Sequence, residues 1–159
     1  MIKKNWTDVL NNAAKKGDEE CVKLVLNAFR NEEKDKLIEF LIKGNDENIT
    51  ALHMASHRGN ENIIKLLLNA FSEEKKDKLI AYVMKEDDTK NTCLHLASHN
   101  GHEGVVNLLL KAFSEKEKDK LIEYVMKEDG NKITALLFAS QQGHDGIVEL
   151  LLNAFTHSK

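Results

Sequence analysis

His53 and His57, and again His95 and His99, stand four residues apart in the chain. On a helix that spacing puts two imidazoles on one face, where they could share a metal ion. No cysteine or carboxylate stands at a spacing that would complete a closed zinc shell around either pair, so neither a metal nor another cofactor is expected. The carboxylates sit mostly among lysines, as in Glu73-Glu74-Lys75-Lys76-Asp77-Lys78, and such runs read as solvated faces. There is no Gly-rich phosphate loop, no G-x-S-x-G and no H-E-x-x-H. No catalytic residue is assigned, and enzyme activity is not expected.

The 159 residues carry 23 Lys+Arg against 26 Asp+Glu, a formal charge of -3, with the two signs interleaved. That pattern favours neither nucleic acid nor an anionic membrane as partner. Cys21 and Cys93 are the only cysteines and fall within apolar faces, which reads as two buried thiols in a reducing compartment, with no disulfide. No apolar stretch approaches the roughly 20 residues that span a bilayer, and Met1 to Trp6 lacks an apolar signal core. A soluble, cytoplasmic protein is expected, with secretion by a route lacking a cleaved signal still open. The absence of proline, with abundant Lys, Asn, Ile and Glu, suits an AT-rich bacterial genome.

What positions these residues is a repeat. Thr50-Ala51-Leu52-His53-Met54-Ala55 recurs as Thr92-Cys93-Leu94-His95-Leu96-Ala97 and as Thr134-Ala135-Leu136-Leu137-Phe138-Ala139, each 42 residues after the last. A degraded fourth copy begins at Asp8, with Leu10, Ala13 and Gly17 in register. Each copy is followed by an apolar helix ending on the same word, as in Leu26-Asn27-Ala28-Phe29, Leu68-Asn69-Ala70-Phe71, Leu110-Lys111-Ala112-Phe113 and Leu152-Asn153-Ala154-Phe155. Thr50, Thr92 and Thr134 are placed to cap a first helix, and Gly59, Gly101 and Gly143 to end it in a left-handed conformation. The second helix, around Ile63, Ile64, Leu67, Leu68 and Phe71, is apolar over more than one face, which suits a helix sandwiched in a stack.

The Thr-x-Leu-His-x-Ala word, followed by glycine and an apolar helix, resembles the ankyrin repeat across essentially the whole chain. The resemblance implies an all-α solenoid of four stacked repeats, with boundaries at 5–46, 47–88, 89–130 and 131–159. The spacing departs from the family's by nine residues per copy. Ser72 to Lys85 carries Leu79, Ile80, Val83 and Met84 at helical spacing behind a capping serine, and the same helix recurs at Ser114 to Lys127 and Asn31 to Lys43. Each unit is therefore a helix pair plus an inserted third helix, which the last copy lacks. The charged half of that helix reads as a solvated face; it could instead be a partner surface. In the first copy Asn11, Asn12, Lys15 and Lys16 make the leading helix polar, as befits a repeat that closes one end against water. The last copy keeps an apolar second helix, so either the array continues or self-association covers its C-terminal end.

In ankyrin repeats the first helices line a concave face, where positions free of the repeat frame contact a partner. Here the free pairs are Lys15-Lys16, His57-Arg58, His99-Asn100 and Gln141-Gln142, which change from copy to copy. The turn positions carried over from the family are Asp46, Glu47 and Ile49, then Asp88, Thr89 and Asn91, then Gly130, Asn131 and Ile133. The turn glycine of the family is replaced by Asn48, Lys90 and Lys132, and lysine tolerates a positive φ poorly, so the turns are expected to be absent or reshaped. His53 and His95 occupy the motif histidine, a structural residue in the family. His102 and His144 fall at a frame position taken by Asp18 and Asn60 in the first two copies. The resemblance implies a module that binds a protein partner through its concave groove; the alternative is a structural spacer with no groove ligand. Helix-extended arrays of this kind are similar to ankyrin proteins of intracellular bacteria, which would make the chain an effector acting on host proteins.

Overall fold

The computed structural model describes residues 5–156. It is built from helices, and the first of each unit are α1 (Trp6–Lys16), α4 (Ala51–Arg58), α7 (Cys93–Asn100) and α10 (Ala135–Gln141). The second are α2 (Glu19–Asn27), α5 (Glu61–Leu68), α8 (Glu103–Lys111) and α11 (Asp145–Thr156), and the third are α3 (Lys34–Lys43), α6 (Lys76–Val83) and α9 (Lys118–Met126). First helices pack on first helices and second on second down the stack, while α3 meets α6 and α9 meets both α10 and α11. The result is an α-solenoid, in which each unit buries its apolar stripes only by leaning on its neighbours. Leu52, Ile63, Ile64, Leu67, Leu94, Val106 and Leu109 lose all contact with solvent between the layers. None of the described helices is long and apolar enough to cross a membrane.

Local chemistry sets the boundaries. The hydroxyls of Thr50, Thr92 and Thr134 accept from the amides of His53, His95 and Leu137, the expected caps of α4, α7 and α10. The first copy differs: α1 already starts at Trp6, so Asp8 lies inside its first turn instead of capping it. An acidic side chain there still complements the helix dipole. Gly59 and Gly101 end α4 and α7 at φ 80° and 78°.

The inserted helices form, but not from their first residue. Each opens as one turn of 3-10 helix, Asn31–Glu33, Glu73–Lys75 or Glu115–Glu117, before the α-helix begins. Ser114 closes a capping box with Glu117, whereas the Ser72 side chain makes no cap. What anchors these helices is aromatic: Tyr82 stacks on Phe71 and Tyr124 on Phe113, with ring centroids 5.3 and 5.4 Å apart, and Phe40 lies 5.3 Å from Phe29. The last word of each second helix is thus the seat of the helix that follows.

Asn11, taken from the sequence as part of a solvent-facing polar end, is buried and donates from Nδ2 to the Ile49 carbonyl at 3.0 Å. The amide gives the first unit a bond to the next turn, and the exposed part of that end is formed by Asn12, Lys15 and Lys16.

Candidate functional site

The turns that precede α4, α7 and α10 are retained, contrary to the expectation from Lys90 and Lys132. Asn48, Lys90 and Lys132 adopt φ of 61°, 63° and 63°. The strain of a left-handed lysine is about 1–2 kcal/mol, and the turn opposes it with hydrogen bonds from a side chain three residues earlier. Asn45 Oδ1 accepts the amides of Glu47 and Ile49, Asp87 Oδ1 those of Thr89 and Asn91, and Asp129 Oδ1 those of Asn131 and Ile133, all within 2.9–3.0 Å. Successive turns are also tied together, Asp88 N–H to the Glu47 carbonyl at 3.0 Å and Gly130 N–H to the Thr89 carbonyl at 2.9 Å.

Behind the turns lie His53 and His95. Nδ1 of His53 accepts the Thr50 amide at 3.0 Å and its Nε2 donates to the Lys85 carbonyl at 3.1 Å; His95 repeats both bonds, to Thr92 and Lys127. Burial holds both imidazoles below the usual histidine pKa, because the charged form would lose its water. Each ring is a neutral brace that ties the start of its unit's first helix to the end of the third helix. With both nitrogens engaged and the ring buried, His53 is not available to join exposed His57 on a metal. Among the described residues no three His, Cys, Asp or Glu side chains gather as a metal site. Cys21 and Cys93 are free thiols, the first only half-buried, and burial pushes the Cys93 thiol up to about 12.

All the residues assigned to partner contact are exposed: Lys15, Lys16, His57, Arg58, His99, Asn100, Gln141 and Gln142 on the first helices, and Asp46, Glu47, Asp88, Thr89 and Asn131 on the turns. They do not all line one hollow. Lys15, His57 and Arg58 meet around a hollow of about 310 Å3 whose floor is Ile49, Met54 and Leu96. Lys15 and Arg58 are also a wall of a second, polar cleft of about 620 Å3, which Lys16 and Lys65 share with Glu19 and Glu61. His99, Asn100, Gln141 and Gln142 lie outside both. The Asn100 amide turns back to the Leu96 carbonyl at 2.8 Å, and His99 stands edge-on to Phe138, centroids 5.0 Å apart. Thr89 is committed to its own turn, its hydroxyl donating to Asp87 at 2.7 Å. Asp88 accepts from the Asn48 amide at 2.8 Å, and Asp46 lies in a separate depression beside Lys43.

Sequence reasoning missed the floor. Met54 and Leu96 follow the motif histidine, and a signal existed, since that position reads Asn12, Met54, Leu96 and Phe138 while the next is alanine in all four copies. It also missed the role of the frame residue after the glycine: His102 and His144 donate from Nε2 to the carbonyls of His57 and His99 in the preceding unit, at 2.9 and 3.3 Å. They satisfy carbonyls at a helix end that has no partners of its own.

Stacked helix pairs joined by hydrogen-bonded turns, with a braced histidine behind two of the three turns, define a repeat protein of the ankyrin type. The family model for ankyrin repeats (3 copies) matches residues 10–120 and 83–159, and the chain belongs to that family. Among curated proteins compared by sequence, none matches. A chain in the crystal structure of the yeast ribosomal protein Rps3 in complex with its chaperone Yar1 is similar in fold, with a TM-score of 0.72 at 25% identity over 92% of this chain and 91% of that one.

Proposed function

We propose that the chain is a protein-interaction module that holds a protein partner in the groove formed by its first helices and turns. The observation that carries this reading is the hollow between α4 and α7, where an apolar floor is walled by exposed side chains that the repeat frame does not fix. Protein interfaces concentrate their affinity at such places, an apolar centre with a polar rim. Membership of the ankyrin family and the likeness to a chain from a ribosomal protein and chaperone complex support a protein as the partner.

Free Cys21 and Cys93 suit a reducing, cytoplasmic setting. Action on host proteins follows the resemblance to helix-extended arrays of intracellular bacteria. Self-association through the C-terminal end is proposed from Leu137 and Leu152, 42% and 47% exposed on α10 and α11. A monomer by light scattering at high concentration would remove that last part.

The test is affinity capture with the chain beside a variant altered at His57, Arg58, His99, Asn100, Gln141 and Gln142, both equally folded by circular dichroism. A protein held by the first and lost from the second supports the groove. Identical captures move the site to the inserted helices or the C-terminal end, and empty captures favour a spacer.

A further inference from the structure

Around the hollow the charges are not balanced, and the imbalance specifies a ligand chemistry. Asp87 lies at its edge, but Oδ1 of that carboxylate already accepts the Thr89 amide, the Thr89 hydroxyl and the Asn91 amide. That carboxylate keeps its charge but is held on the turn and makes no ion pair with Lys15 or Arg58. On the opposite side, Lys15 and Arg58 wall both the hollow and the polar cleft beside it, and Lys16 joins them in the cleft. None of these three cations has an ion pair or side-chain hydrogen bond within the described residues. Two carboxylates, Glu19 and Glu61, line the same cleft, but neither forms an ion pair with these cations: Glu19 accepts from Asn62 at 3.1 Å, and that of Glu61 lies over Gly104.

Cations at the last turn of a helix also relieve the negative end of its dipole, which is a purely structural reason to find them there. The chain itself argues against that reason being sufficient. The same frame positions end α7 with His99-Asn100 and α10 with Gln141-Gln142, and those helices form equally well without lysine or arginine. The acidic turn residues do not supply the opposite pattern, since Asp46 faces another depression and Asp88 is bonded by Asn48.

We propose that the groove's partner is a peptide segment that places one aliphatic or aromatic side chain on Met54 and Leu96 and, on the side toward the helix ends, carboxylates over Lys15, Lys16 and Arg58. This rests on the groove reading above and adds to it the class of the partner, an acidic-apolar segment, and its orientation across the groove. The apolar side chain supplies burial and the carboxylates choose the partner, because a basic segment would meet three cations that no ion pair occupies.

The probe is a random peptide library displayed on phage, selected on the full chain, on Lys15→Glu/Arg58→Glu, and on Met54→Glu, each checked by circular dichroism. Lys15 and Arg58 are exposed, so the doubly reversed chain keeps its fold. The expected result is enrichment of peptides with Asp or Glu beside a Leu, Ile, Met or Phe. Their affinity should fall on the order of tenfold for each reversed cation, and selection on the doubly reversed chain should turn to Lys or Arg at the same place. Peptides that need Met54 but are basic or neutral, or that ignore the reversal, would overturn the proposed chemistry and leave the groove reading standing. Peptides indifferent to both changes, or no enrichment at all, would overturn both.

Discussion

His95 donates from Nε2 to the carbonyl oxygen of Lys127 at 2.9 Å, and this one bond joins the first helix of its unit to the end of the third. The same ring accepts the Thr92 amide through Nδ1 at 3.1 Å, an arrangement open only to the neutral imidazole. Burial, the main cause, pushes its pKa below the ordinary 6.5, and His53 follows the same rule.

The pH dependence of stability follows from that direction. A histidine with a depressed folded pKa leaves the unfolded chain holding more protons at acid pH, so stability is fully present above about 6.5 and declines as pH falls toward the folded values. Urea melts should show that decline. His95→Leu should cost about 1–3 kcal/mol at neutral pH through the lost bond, yet shallow the acid decline, and His53→Leu/His95→Leu should nearly flatten it. Leu137 already fills this place in the fourth unit. A decline as steep in the double variant as in the parent would show that other groups cause it.

The turns permit a cleaner test, because one unit uses Asn45 where the others use Asp87 and Asp129. What the turn needs is an oxygen acceptor, and the charge is secondary. Asp129→Asn should therefore change the melting temperature little, while Asp129→Ala should cost about 1–3 kcal/mol by orphaning the amides of Asn131 and Ile133. Lys90→Gly relieves a residue held at φ 63°. Allowing for the added freedom of the unfolded chain, a gain of about 0.5–1 kcal/mol is expected, read as a melting temperature higher by a few degrees. A lower one would mean that Lys90 supplies a contact worth more than its strain.

These turns also mark where the sequence was legible. The threonine caps, the terminating glycines and the third helix could be read from the residues because each depends on neighbours within one helical turn. Lys90 misled, since its own preference was visible and the bonds from Asp87 that overrule it depend on the turn closing. Asn11 misled likewise: its acceptor, the Ile49 carbonyl, is 38 residues away. Of the contact residues, Lys15, His57 and Arg58 converge and the pairs further along the stack do not, a distinction set by the geometry of the layers, which spacing alone does not encode.

Leu67 and Leu109 occupy the same frame position in α5 and α8, and neither has any surface left to solvent. Both sit where the second helices of adjacent units press together, so truncation opens a void that neighbouring units can close only by shifting the stack. Leu67→Ala or Leu109→Ala should cost about 2–5 kcal/mol in urea melts. Leu24, on the outer face of α2, is 70% exposed and serves as the control. Leu24→Ala should stay within about 0.5 kcal/mol of the parent, as surface substitutions do. Because units couple only to their neighbours, loss at Leu67 or Leu109 should also broaden the transition by letting the two ends of the array unfold separately. Equal small effects at buried and exposed positions would mean that the second helices do not pack as layers.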